Sequence, residues 1–90
     1  MAAQGTTTIN FGAKSTNASV AVSAPAITAG QLVEAWIFPA TTASNTADNH
    51  WVDSVRVVAG NVVAGVGFTI YGRVEQGWAH GIFNVAWVYN

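Results

Sequence analysis

The sequence contains no cysteine, which excludes a disulfide framework and thiolate zinc sites and leaves the redox compartment open. Charge is almost as scarce. Four acidic and three basic residues amount to 8% of the chain, against roughly 25% in an average soluble domain. Neutralising a nucleic-acid backbone takes clustered cations, whereas Lys14, Arg56 and Arg73 are scattered along the sequence. Neither nucleic acid nor an anionic membrane surface is therefore an expected partner. The longest apolar runs, AWIF and VAWVY, are too short to cross a bilayer. The start, MAAQGTTTINFGAKST, lacks the basic and apolar stretches of a signal peptide. The expected route is synthesis in a cytoplasm, with release by lysis or as part of a particle.

Helical periodicity is also missing, and helix content is expected to be near nil. What is present is β-forming: Val, Ile, Thr, Phe, Trp and Tyr set between Gly, Asn and Ser clusters. Strands are expected at about 6–12, 18–23, 31–38, 52–59, 62–71 and 81–89. The stretch VVAG occurs twice, starting at Val57 and Val62. Gly60-Asn61 between them has the composition of a two-residue hairpin turn, and Gly65 and Gly67 suggest a bulge further on. Six or seven short strands in a single domain of 90 residues point to an all-β fold, a small antiparallel β-sandwich of jelly-roll or immunoglobulin-like type. Residues 1–16 form an N-terminal segment, a docking arm plus first strand, and residues 17–90 the sandwich domain.

The polar stretch TADNHWVDS, expected as a loop, gathers Asp48, Asn49, His50 and Trp51. Its spacing matches no metal cage, so no metal is assigned. No nucleophile elbow is present, and GVGFTIYG lacks the third glycine of a dinucleotide fingerprint. Glu34, Asp48, Asp53 and Glu75 are well separated in sequence, which gives no acid–base pair. The expectation is no enzyme, no catalytic residue and no cofactor. Trp51 and Trp78 flank polar turns, where an indole beside Asp, Asn or His could stack on a sugar. The plainer account is packing against another subunit.

Two stretches are apolar on both faces. In LVEAWIF, Leu32, Trp36 and Phe38 share a face with Glu34, while Val33, Ala35 and Ile37 lie opposite. In IFNVAWVYN, Phe83, Val85, Trp87 and Tyr89 oppose Asn84, Ala86 and Val88. A sandwich gives each sheet only one inner face, so the second face of these strands calls for another cover. The economical cover is a second copy of the chain, with Trp36, Phe38, Phe83, Trp87 and Tyr89 as the interface.

The order of these features resembles small all-β modules of tailed-bacteriophage virions, such as capsid decoration proteins and tail-fibre or head-fibre domains. The features are a Thr/Ser/Ala-rich start, VEAWIFP, the TADNH loop, AGVGFTIYG and the closing GIFNVAWVYN. The resemblance implies a non-enzymatic structural protein of a virion, oligomeric and frequently trimeric, meeting other virion proteins and carrying no active site. The rival expectation is a carbohydrate-binding, lectin-like module that holds a host glycan through Asp48, Asn49, His50, Trp51 and Trp78.

Overall fold

The computed structural model describes residues 3–90; Met1 and Ala2, the first residues of the expected N-terminal segment, lie outside them. The fold is all-β but for one turn and a half of helix. Its elements are β1 (Ala3–Asn10), β2 (Asn17–Ser23), β3 (Val33–Ile37), α1 (Ala47–Val52), β4 (Val55–Val63), β5 (Gly67–Val74) and β6 (Ile82–Tyr89). They form two three-stranded antiparallel sheets with strand orders β1-β6-β3 and β2-β5-β4. β1 lies against β2 and β3 against β4, so the two sheets close on each other as a small sandwich.

Strand alternation builds the core from both sheets. β6 turns Phe83, Val85, Trp87 and Tyr89 inward, and β5 answers with Phe68, Ile70 and Val74. The Phe68 ring meets Trp87 edge-on at 5.4 Å and Tyr89 at 6.3 Å, while Trp87 and Tyr89 stack at 6.0 Å. At the other end Phe11 meets Phe83 edge-on at 5.7 Å. Trp87 fits because its cross-strand partner is Gly5. A Cβ there would lie 2.5 Å from Trp87 Cζ2, so the indole occupies the space that a side chain on β1 would fill.

The turn between β4 and β5 differs from the expectation. β4 continues through Gly60 and Asn61, with a register shift between Gly60 and Val63. Chain reversal comes at residues 64–66, where Gly65 has a φ of +75°. Gly60-Asn61 is thus the irregularity and Gly65 the turn, the reverse of the expected assignment. In composition each site reads as either, since a left-handed residue serves a bulge and a turn equally; Asn61 takes φ 52°. The first copy of VVAG lies within β4, and the second runs from the end of β4 into the turn.

The helix is the second difference. Thr46 caps α1 by accepting the Asn49 backbone N–H at 3.2 Å, and Asp48 sits in the first turn, a favourable place for a carboxylate. Six residues are too few to show a helical apolar period, and such a helix is marginal without tertiary contacts.

Candidate functional site

Three surfaces collect the chemistry-bearing residues, and the first is α1 with the loop before it. β3 ends at Ile37, leaving the N-terminal part of β6 without a strand on that side. Side chains of residues 40–50 take the strand's place. Phe38 N–H still reaches the Asn84 carbonyl at 3.0 Å. Beyond it Thr42 Oγ1 donates to the Ile82 carbonyl at 2.8 Å, and Ser44 Oγ accepts the Ile82 N–H at 2.9 Å. Asn45 Nδ2 donates to the carbonyls of His80 at 2.9 Å and Ile82 at 3.0 Å.

His50 completes the seal. Its Nε2 accepts the Asn84 backbone N–H at 2.8 Å, and its Nδ1 lies 2.8 Å from the Thr46 carbonyl. A backbone donor on Nε2 and a carbonyl on Nδ1 together fix the neutral Nδ1–H tautomer. The ring is 4% exposed and packs edge-on against Phe83 at 5.0 Å. With both ring nitrogens engaged by backbone groups, His50 is not free to hold a sugar, which corrects the loop-site expectation at that residue. Asn49 is half-buried and turned toward Asn45, with Nδ2 3.5 Å from Asn45 Oδ1. Asp48 and Trp51 face outward from the same short helix, Trp51 with 82% exposure.

Trp78 is exposed on the β5–β6 connection, and Lys14 Nζ lies 3.8 Å from its ring centre. The paired backbone bonds between Ser15 and Ala79, each 3.0 Å, bring these two stretches together. One face of Trp78 is thus already occupied by a cation. Among the described residues no ring contact joins Trp51 and Trp78.

The second surface is the outer face of the β1-β6-β3 sheet. The expected interface set divides here. Phe83 is fully buried, Tyr89 is 6% exposed, and Trp87 packs among the core aromatics. Phe83 and Tyr89 belong to the chain's own core, which corrects that part of the interface, and Trp87 is half-buried against that core. Trp36 and Phe38 point outward, 45% and 44% exposed, and Leu32, on the other side of Glu34, is 80% exposed. The second face of β6 turns out to be largely covered within its own sheet. Ala86, between Trp36 of β3 and Thr6 of β1, is 8% exposed, and Asn84 and Val88 are half-buried. The need for cover falls on β3 alone.

The third surface has no counterpart in the sequence reading. On the outer face of β2-β5-β4, register aligns Asn17, Arg73 and Arg56 in one row and Ser19, Tyr71 and Val58 in the next. These six side chains line an open depression of about 600 Å³. Arg56 and Arg73, 17 positions apart in sequence, are direct cross-strand partners. Two of the three cations scattered in the sequence are therefore neighbours in space. Glu75 Oε2 lies 3.5 Å from Arg56 Nη1 in an exposed pair. Among the described residues, no acidic side chain pairs with Arg73.

No protein-family model matches this sequence, and no curated protein matches it. Among solved structures, the chain is similar to the C-terminal part of the P. aeruginosa R1 pyocin fibre, with TM-score 0.39 and 16% identity over 99% of this chain. It is similar also to an N-truncated R1-type pyocin tail fibre, with TM-score 0.40, 16% identity and 99% coverage. The chain spans 22% of the first of these fibre chains and 67% of the second.

Proposed function

We propose that this protein is a non-enzymatic structural module of a phage or phage-like particle, of decoration or fibre type, which assembles with copies of itself through the outer face of β3. The observation that supports the assembly is the outer face of the edge strand β3, where Trp36 and, two residues on, Phe38 are exposed, with exposed Leu32 on the far side of Glu34. Large apolar side chains contiguous on a surface are the usual mark of an interaction site, and Trp and Phe are enriched at the centres of interfaces. Few charges stand in the way: Glu34 alone shares this face of β3. The place in a particle is what the resemblance in motif order implies.

A trimer is the assembly that the resemblance to virion modules implies, closed so that no apolar edge is left open. The test is the solution mass by light scattering across a dilution series. A stable trimer supports the reading, and a monomer at micromolar concentration overturns it.

A further inference from the structure

The depression lies on the β2-β5-β4 sheet, away from the proposed β3 contact. Like charges directly opposite on neighbouring strands destabilise a sheet. This chain, with three cations in all, places two of them so. The contact of Arg56 with Glu75 is single and exposed on both sides, and such pairs contribute little. The arrangement therefore costs stability unless something negative sits between the guanidinium groups.

The lining describes what that would be. A guanidinium presents a planar fork of donors matched to a carboxylate or a phosphate. One row below the arginines lies Tyr71, 43% exposed, in the middle strand between Ser19 and Val58. An exposed aromatic ring in the floor of a depression suits the C–H face of a sugar. Asn17 and Ser19 add side-chain groups that both donate and accept, as hydroxyls require. About 600 Å³ is within the range of small-ligand sites.

We infer that the outer face of β2-β5-β4 binds an anionic saccharide, with its carboxylate or phosphate between Arg56 and Arg73 and its ring on Tyr71. The site is shallow and exposed, so binding weakens as salt is raised.

The experiment is NMR titration of the whole chain with glucose 6-phosphate, glucuronate, neutral glucose and inorganic phosphate, at low and raised ionic strength. Saturable shifts at residues 17–19, 56–58 and 71–73 are expected with glucose 6-phosphate or glucuronate. The tighter of the two tells whether phosphate or carboxylate is the natural group. Arg73→Gln should weaken that binding about tenfold or more, the loss expected for a charge-assisted hydrogen bond, and should leave thermal stability unchanged or raised. Arg56→Gln should act in the same direction, and Trp51→Ala should leave binding as it is. No saturable shift with either anionic sugar at low salt overturns the inference, as does Arg73→Gln binding like the parent. Glucose binding as tightly as the anionic sugars removes the anion, and inorganic phosphate matching glucose 6-phosphate removes the sugar.

Discussion

At His50 a side chain does the work of a strand. The Asn84 N–H it accepts is a backbone donor that would otherwise be left unpaired beside Phe83, whereas the Thr46 carbonyl it faces also takes the His50 backbone N–H at 3.3 Å. His50→Ala is predicted to destabilise the fold by about 2–4 kcal/mol, from the orphaned donor and the emptied space together. Urea unfolding measures this, and a loss below about half a kcal/mol would show that the ring only fills surface. Trp87 offers a contrast. Its Nε1 is buried and has no hydrogen-bond partner among the described residues, so Trp87→Phe gives up ring area but no hydrogen bond. We expect about 1 kcal/mol for Trp87→Phe and about 3–5 kcal/mol for Trp87→Ala, by the same measurement. The polarity of His50 is visible in the sequence, where it reads as that of a ligand. Nothing local announces that an imidazole will replace a strand, because the gap it fills is created where β3 stops.

Elements are legible in the sequence where alternation is clear and ambiguous where glycine can serve two ends. In β3 the lone Glu34 marks the solvent side, and Trp36 and Phe38 share that side with it; Asn84 marks the outer side of β6 in the same way. Those two polar residues carry the orientation that the apolar residues leave open. Composition puts the β4–β5 turn at Gly60 and the structure puts it at Gly65, since both offer a flexible backbone after VVA. Substitution separates the two sites. Gly65→Ala should cost about 1–2 kcal/mol because its φ is +75°, whereas Gly60→Ala should be within about 0.5 kcal/mol of neutral, as nothing lies within 4 Å of an added Cβ. Thermal unfolding of both variants checks this, and equal losses would mean that the chain reverses elsewhere. The Arg56–Arg73 pairing is hidden for the same reason, because it emerges only once the turn and the register shift are fixed.

For the molecule as a whole, the apolar edge of β3 and the aromatic core make opposite demands on a mutant. Replacing Trp36 and Phe38 together by Ser should dissociate the proposed assembly and leave the folded chain's denaturation midpoint close to that of a parent monomer. Light scattering and urea unfolding read the two effects separately; an intact oligomer would place the contact elsewhere. β6 carries a different kind of consequence. It is the centre of its sheet, with Ala3 and Val33 both paired to Tyr89, so β1 and β3 have no partner in that sheet until residues 82–89 exist. The β2-β5-β4 sheet draws only on residues 17–74. During synthesis one sheet has all its strands early, while the other waits with two unpaired strands exposed to neighbouring chains. Released chains truncated before residue 82 should therefore be cut by protease within residues 3–10 and 33–37, and protection there would refute this order. Protection of β1 and β3 alike thus hinges on the arrival of β6.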